Sequence, residues 1–478
     1  MTEASASGDE IAALGLVEVA DAIRSRRLSS EEATRACVER LERHGNALNC
    51  VAGLDAEAAL ESARAADAQL ARGEGGGPLL GVPLAHKDMF YRRGRVSACG
   101  SRIRADFVPA VTAAALDRLD QAGALDIARL NMVEFALGVT GHNEITGDLR
   151  NPWNPAHMTG GSSSGSGVAV AGRLVYGALG SDTGGSIRFP ASCCGLVGMK
   201  PTLGRVSRFG AMPLAHSLDT VGPLTRTVAD NALMLGAIAG HDPRDPQSSR
   251  RPVPDYPGDL EKGVRGLRLA VPRNHFLEPA ADEVRVLFEE CVAVFRRAGA
   301  GIAAVTIPES AFITNGLTSL ITATEGAALH GPWMRERPQD YGRQTLGRLV
   351  AGALTPATTY IGAIGLRAPI LAEFMAAVFD RADALLTPVM MTPVPTIEES
   401  DLAANPGFSD AIIAMGHATR PFNYLGLPAL SVPAGFTENG LPAGLQLVGR
   451  PFSEAVLYRA ARAYERETGW TARAPDMR

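Results

Sequence analysis

Three short stretches of the chain contain residue types that could attack a carbonyl group. Lys87 ends the apolar stretch PLLGVPLAHK, residues 160–167 read GGSSSGSG, and residues 180–190 read GSDTGGSIRFP. A serine hydroxyl attacks a carbonyl once a base takes its proton, and a desolvated neutral lysine can be that base. Arginine cannot, and of the 46 basic residues only Lys87, Lys200 and Lys262 are lysines. We therefore predict a chemical role for Lys87.

The Gly/Ser run at residues 160–167 allows several interpretations from its composition. Such runs are usually flexible linkers, but the apolar VAVAGRLV follows at once and favours a turn inside the core. A nucleotide-phosphate loop is disfavoured, because no Gly-Lys-Ser/Thr follows either glycine-rich stretch. The dinucleotide-binding pattern Gly-x-Gly-x-x-Gly does not match from Gly165 onward, because Val170 occupies the position of its last glycine. We predict a turn followed by a short helix from about Gly165.

The surrounding sequence predicts an α/β fold with one large domain, a mixed β-sheet covered by helices on both faces. LRLAVP, EVRVLFEECVAVFRRAGA and IAAVTIP predict a strand–helix–strand unit of a parallel sheet. Ser29 and Glu32 predict a helix capping box. The single domain is predicted to span residues 1–478, with N-terminal helices over 1–75, a catalytic core over 76–310, a variable, helical, substrate-facing region over 311–381, and C-terminal strands and a helix over 382–478.

Composition and charge disfavour several classes of partner. The 478 residues are 46% hydrophobic and 20% charged, with a net charge of -5 and no basic run, so nucleic acid is not expected to bind. We find no apolar stretch of the ~20 residues that span a bilayer. The N-terminal sequence lacks the basic segment followed by an apolar segment that is typical of a signal peptide. The six cysteines lack C-x-x-C spacing, which predicts buried, reduced thiols in a cytoplasmic protein.

Taken together, these motifs closely resemble the amidase signature family. The resemblance extends over about residues 28–470, includes CCGLVGMKPTLGRVSRFG and LGLPALSVPAGFTENGLPAGLQLVG, and weakens over 311–381. It implies a Ser–cis-Ser–Lys triad with Ser186 as nucleophile, Ser162 as bridging serine and Lys87 as base. It also implies a cis peptide between Gly161 and Ser162. This chemistry needs no cofactor and no metal.

Further roles follow once Ser186 is taken as the nucleophile. The backbone N–H groups of Thr183, Gly184, Gly185 and Ser186 are predicted to stabilise the oxyanion that forms during attack. Asp182 and Arg188 are predicted to hold this loop through ionic and backbone hydrogen bonds, and the resemblance places Ala136 in the acyl pocket. His86 is assigned a structural role, because neighbouring residues on a strand point to opposite faces.

Two positions depart from the family pattern. Ser164 stands where glycine is common, and it adds a hydroxyl near the site. Phe189 stands where the A subunits of tRNA-dependent amidotransferases usually have glutamine, which weakens that assignment.

Three functions remain open at this stage. The first is a stand-alone amidase that acts on small or aryl amides, with esters and carbamates as further substrates. The second is the glutaminase-type A subunit of a tRNA-dependent amidotransferase, and the third is a catalytically silent scaffold. The first implies a small-molecule amide substrate and a monomer or homodimer. Its acyl pocket is expected to be built largely from residues 311–381.

Overall fold

The computed structural model describes residues 7–402 and 404–477. Its centre is a mixed sheet of 11 strands. The strands are β1 Val51–Leu54, β2 Pro83–Lys87, β3 Leu125–Leu130, β4 Gly177–Asp182, β5 Val197–Lys200, β6 Thr220–Thr225, β7 Arg268–Pro272, β8 Gly301–Val305, β9 Ala384–Pro388, β10 Ala429–Phe436 and β11 Pro442–Gly449. Their order across the sheet is β1-β3-β2-β4-β6-β5-β10-β11-β9-β7-β8.

Helices flank this sheet along its whole width. They are α1 Gly8–Ala13, α2 Leu16–Arg24, α3 Ser30–His44, α4 Ala56–Ala71, α5 Ala114–Gln121, α6 Ser164–Ala171, α7 Arg188–Cys194, α8 Val228–Ile238, α9 Asp282–Arg297, α10 Thr314–Glu336, α11 Arg343–Ala353, α12 Ala357–Gly365, α13 Arg367–Phe374, α14 Ile397–Ser400, α15 Phe408–Met415, α16 Arg420–Tyr424 and α17 Glu454–Thr468. The predicted single α/β domain with a large mixed sheet is therefore confirmed.

The local predictions with strong sequence patterns are also confirmed. Strands β7 and β8 pair in parallel and are connected through α9, as the alternation of apolar runs predicts. Helix α3 begins after Ser29, whose hydroxyl accepts from the Glu32 amide while the Glu32 carboxylate accepts from the Ser29 amide. All six cysteines are free and buried.

One local prediction is wrong, and two central strands were not predicted. Residues 1–75 are not all helical, because β1 pairs antiparallel with β3. Strands β5 and β6 contain VGMK and TVGPLT, whose glycine and proline give weak strand propensity. They exist because antiparallel pairing places β6 between β4 and β5 in the buried centre of the sheet.

The described residues also contain one apolar helical stretch, Ala357–Phe379, that could cross a membrane by length and composition. The prediction that no such stretch exists is therefore wrong. Arg367 and Glu373 interrupt the apolar residues, so no uninterrupted run is visible in the sequence. In the structure this stretch is α12, α13 and a following π-turn, and most of its residues are at least partly exposed.

The strand directions bring the three candidate stretches together. Strand β2 pairs in parallel with both β3 and β4, so Lys87 and Asp182 lie at the same edge of the sheet. The Gly/Ser run leads into α6, which packs against β4, and the loop after β4 leads into α7. The carboxyl ends of β2 and β4 therefore hold the candidate residues near one another.

Candidate active site

The Lys87 ammonium group is surrounded by serine hydroxyls. Its Nζ lies 2.8 Å from Ser162 Oγ, 2.9 Å from Ser181 Oγ and 3.2 Å from Ser163 Oγ. The residue is 1% exposed, and burial lowers the pKa of Lys87 to about 7, although the Asp182 and Asp219 carboxylates partly oppose this. Burial therefore favours the neutral form of Lys87 near neutral pH. Such an amine can accept a proton from the adjacent Ser162.

The Gly/Ser run is a buried turn and not a linker. The Gly161–Ser162 peptide is cis. The Gly161 amide donates to Val139 O at 2.7 Å, and the Ser164 hydroxyl donates to Gly160 O at 2.8 Å. A Cβ at Gly165 would lie 2.4 Å from Asn131 O, so only glycine fits there. These contacts fix the backbone on both sides of Ser162.

The loop after β4 is organised by the Asp182 carboxylate. It accepts hydrogen bonds from the amide of Gly185 at 2.7 Å and from the amide of Ile187 at 3.2 Å. Arg188 donates to it from Nη2 at 2.9 Å and from Nε at 3.0 Å, and both side chains are fully buried. Burial raises the pKa of Asp182, but Arg188 more than offsets this and holds the pKa below its usual range. Asp182 is therefore an anion that ties the loop to the start of α7.

Gly185 differs from its neighbours in this loop. It has a φ of +128°, and a Cβ there would lie 2.4 Å from the Phe189 ring. Because its amide already donates to Asp182, Gly185 supports the loop and does not offer a free donor, a correction to its predicted oxyanion role. The amides of Thr183, Gly184 and Ser186 have no hydrogen-bond acceptor within residues 7–402 and 404–477. These three remain the predicted oxyanion donors.

A cavity of about 380 Å³ opens in front of this loop. Its lining residues are Ala136, Leu137, Gly138, Val139, Thr183, Gly184, Ser186, Leu214, Thr318, Ser319, Thr322, Ala323, Arg348, Ala351, Leu402, Ser409, Ile412, Ile413 and Arg420. Ala136 lines the same cavity as Ser186, and its place in an acyl pocket stays a prediction. Residues 311–381 supply only one wall, from α10 and α11, while residues 136–139 and 402–420 supply others. The expectation that this region builds most of the pocket is wrong, because the lining comes from five distant parts of the chain.

Several residues of the site were not predicted from the sequence. Ser163 and Ser181 contact Lys87, and both lie inside motifs that already contained a predicted residue. Asp219 accepts a 2.6 Å hydrogen bond from the Thr183 hydroxyl and also accepts from the amides of two neighbouring residues. Arg348 and Arg420 line the cavity from segments that have no recognisable motif.

Among the described residues, the His86 side chain has no hydrogen bond to the serine hydroxyls around Lys87. Its Nδ1 accepts a hydrogen bond from the Leu179 amide at 3.2 Å, which links β2 to β4. Burial lowers the pKa of His86 to about 4, so the ring is neutral near neutral pH. These contacts agree with a structural role.

The sheet and the Lys–Ser cluster at its edge define an α/β serine hydrolase of the amidase signature type. The chain belongs to the amidase family, whose model matches residues 32–458.

Relatives with recorded functions and solved structures agree on this family. The chain is 40% identical to the A subunit of glutamyl-tRNA(Gln) amidotransferase from Geobacter metallireducens, over 96% of this chain and 98% of the relative. It is 33% identical to a chain from the structure of a vestigial protein complex that reveals the evolutionary origins of an s-triazine catabolic enzyme, with a TM-score of 0.89 over 95% and 99% of the two chains. It is also similar to a bacterial aryl acylamidase, with 28% identity and a TM-score of 0.87 over 96% and 97%.

Proposed function

We propose that the chain hydrolyses the C–N bond of amides through an acyl-enzyme formed on Ser186. The observation that carries this proposal is the 2.8 Å contact between the buried Lys87 Nζ and Ser162 Oγ. A lysine with a pKa of about 7 is a suitable base near neutral pH, since catalytic groups work best when their pKa lies near the working pH.

In the proposed reaction, Ser186 Oγ bonds to the carbonyl carbon while its proton passes to Ser162 Oγ. Ser162 gives its own proton to neutral Lys87, which becomes an ammonium ion. The free amides of Thr183, Gly184 and Ser186 stabilise the resulting oxyanion. The relay then runs in reverse, so that the leaving nitrogen receives a proton as the C–N bond breaks. Water attacks the ester on Ser186 by the same route and releases the carboxylic acid.

The names of the relatives favour a physiological role in tRNA-dependent amidation, with this chain in the place of the A subunit. In that role the acyl donor is glutamine, the product is ammonia, and a partner protein is required. Several curated relatives carry this name, and they match along nearly the whole chain.

A stand-alone amidase acting on small or aryl amides is the second candidate. The likeness to the bacterial aryl acylamidase and the presence of Phe189 support it. Under this proposal the enzyme is cytoplasmic and is a monomer or homodimer.

Active-site labelling tests the shared chemistry. Treatment with a fluorophosphonate should add one adduct, located by mass spectrometry on the peptide that contains Ser186. The Ser186→Ala variant should not be labelled and should not cleave p-nitroanilides. Undiminished labelling of this variant would rule out Ser186 as the nucleophile.

Purification separates the two candidates. A single polypeptide that cleaves anilides without tRNA, ATP or a second protein would support the stand-alone amidase. Ammonia release from glutamine only in the presence of a co-purifying partner would support the amidotransferase role.

The same site is proposed to accept N-aryl carbamates as slower substrates. Resonance from two heteroatoms makes a carbamate carbonyl less electrophilic, while an aniline leaving group still accepts the proton that the Ser162–Lys87 relay delivers. A matched anilide and N-phenyl carbamate should both lose turnover in Ser186→Ala. Carbamate cleavage that survives this substitution would show that a different site is used.

A further inference from the structure

Helix α15 separates the candidate cavity from a second, larger cavity. Side chains three and four positions apart share one face of a helix. One face of α15 lines the candidate cavity through Ser409, Ile412 and Ile413. The opposite face lines a cavity of about 660 Å³ through Phe408, Ala411, Ala414 and Met415. This second space, called the outer cavity below, is larger than the 380 Å³ in front of Ser186. A single helix thus forms the wall between two empty spaces.

Few interactions hold α15 in its position. Only two of its eight side chains, Ile412 and Met415, are buried. Within the described part of the chain, one hydrogen bond joins residues 404–416 to a segment outside 399–420, from Asn315 Nδ2 to Ile413 O at 3.1 Å. Segments with few buried apolar contacts are the ones that move at low cost in free energy. Displacement of α15 therefore disrupts little packing.

The chain is held more firmly on both sides of α15. Before it, Ser400 Oγ lies 2.9 Å from His142 Nε2. After it, the Thr419 hydroxyl donates to Gly184 O at 2.8 Å, and the Arg188 guanidinium donates to Thr419 O at 3.0 Å. A displacement of α15 between these two anchors leaves the predicted oxyanion loop in place.

The outer cavity provides the space for such a displacement. Protein interiors are close-packed, so a helix that moves outward usually meets atoms on its far side. Behind α15 there is empty space instead, and each step of the helix into it enlarges the candidate cavity by the volume that the helix leaves. The side chains of Ile412 and Ile413 would then border the enlarged space and cover apolar groups.

We propose that α15 moves toward the outer cavity when an amide with a long apolar acyl group binds. The space behind α15 then determines the largest acyl group that the site accepts, and Ala411 and Ala414 determine specificity without touching the substrate. This inference rests on the proposed amide hydrolysis, because it concerns the acyl group that is transferred to Ser186.

Filling the outer cavity tests the proposal. Acetyl and octanoyl p-nitroanilide share a leaving group and differ only in acyl length, and the wild type should cleave both. Ala414→Phe and Ala411→Leu add side-chain volume behind α15. Each should lower the octanoyl-to-acetyl ratio of kcat/KM by roughly tenfold or more, the effect expected of overpacking. The value for the acetyl compound should stay within about twofold of the wild type, since no displacement is needed for it.

Ala372→Phe is the matched control for Ala414→Phe. Both alanines are exposed and lie on helices of eight residues, but Ala372 on α13 lines neither cavity. The control should keep the wild-type ratio. A wild type that cleaves the acetyl compound but not the octanoyl compound would overturn the proposal.

A distance measurement detects the displacement even where the filled variants do not fold. The six native cysteines are free and buried, so exposed cysteines can be labelled selectively. Spin labels at Asp410→Cys on α15 and Glu467→Cys on α17 are placed in the Ser186→Ala variant, and both positions are exposed. Pulsed electron paramagnetic resonance should show a changed distance with octanoyl p-nitroanilide and an unchanged one with the acetyl compound. The same distance with both compounds and without ligand would overturn the displacement.

The two experiments separate this inference from the proposed function. A distance that changes with the octanoyl compound, together with no anilide turnover by the wild type, would refute the proposed function and support the movement of α15. Anilide turnover with the same octanoyl-to-acetyl ratio in the wild type and in Ala414→Phe would overturn the role of the outer cavity and leave the proposed function standing.

Discussion

Lys87 shows how a single buried residue acquires the properties of a base. Its three nearest polar neighbours are the hydroxyls of Ser162, Ser163 and Ser181, which can form hydrogen bonds with a neutral amine. Burial lowers the pKa of Lys87. The nearby carboxylates of Asp182 and Asp219 raise it, but they offset the effect of burial only in part. The environment therefore favours the uncharged lysine that the proposed mechanism needs.

Replacement of Lys87 tests this assignment. Lys87→Met should lower kcat/KM by about 10²–10⁴-fold, the usual contribution of a general base. Lys87→Arg should be nearly as inactive, because a guanidinium remains charged and cannot take the proton. Steady-state kinetics on a p-nitroanilide measures both effects. A Lys87→Arg enzyme with most of the wild-type rate would contradict the role.

The pH profile of the wild type gives an independent check. Because the pKa of Lys87 is lowered to about 7, its neutral form increases as the pH rises through that value. The value of kcat/KM should accordingly rise with an apparent pKa of about 7 and reach a plateau on the alkaline side. A profile that falls over this interval would indicate that the charged lysine is the active form.

At the scale of elements, the loop between β4 and α7 depends on one buried ion pair. The Asp182 carboxylate joins the amides of Gly185 and Ile187 to the guanidinium of Arg188. Arg188 in turn donates to Gln446 on β11 and to Asn423 on α16. The predicted oxyanion loop is thereby connected to the C-terminal part of the sheet.

Removing the Asp182 charge should destabilise the whole fold. Asp182→Asn leaves Arg188 buried without a counter-charge, which is expected to lower the free energy of unfolding by about 3–5 kcal/mol. Urea denaturation followed by circular dichroism measures this change. Asp21→Asn, which breaks an exposed pair with Arg24, should change stability by less than about 1 kcal/mol. Equal effects of the two substitutions would argue against the supporting role of Asp182.

The left-handed turn at Gly185 is a second requirement of this loop. Gly185→Ala places a methyl group 2.4 Å from the Phe189 ring and forces a side chain into a φ of +128°. We expect a loss of turnover of at least about 10²-fold, since displaced oxyanion donors cost that much. Gly75→Ala is the control, because no atom lies within 4 Å of its added Cβ. Near wild-type turnover of Gly185→Ala would mean that the loop tolerates a different shape.

For the whole molecule, the buried cysteines report on the integrity of the core. All six are free and buried, and burial raises the pKa of Cys37, Cys50, Cys99 and Cys291 to about 12. Thiol reagents react with the thiolate, so the native protein should show almost no reactive thiol. Titration with a thiol reagent should detect all six in strong denaturant. A thiol that reacts rapidly in the native protein would contradict the packing of its region.

The sequence by itself determined the candidate chemical residues and the strongest local elements. Lys87, Ser162 and Ser186 could be predicted because each lies in a short motif that carries the family resemblance and is visible without knowledge of the fold. Helix α3 and the β7–α9–β8 unit were predictable because capping residues and apolar periodicity act over a few neighbours.

Only the tertiary structure decided which residues line the cavity. Strands β5 and β6 exist through pairing across the sheet, which overrides their weak local propensity. The Gly185 amide donates to the Asp182 carboxylate, whereas the other predicted oxyanion amides have no acceptor among the described residues. Only the position of this carboxylate in the folded chain reveals the difference. Arg348 and Arg420 lie on helices far apart in the sequence, and no local pattern shows that α11 and α16 both reach the cavity. Contacts between distant segments depend on how complete elements pack, and apolar periodicity specifies which face is buried but not which partner covers it.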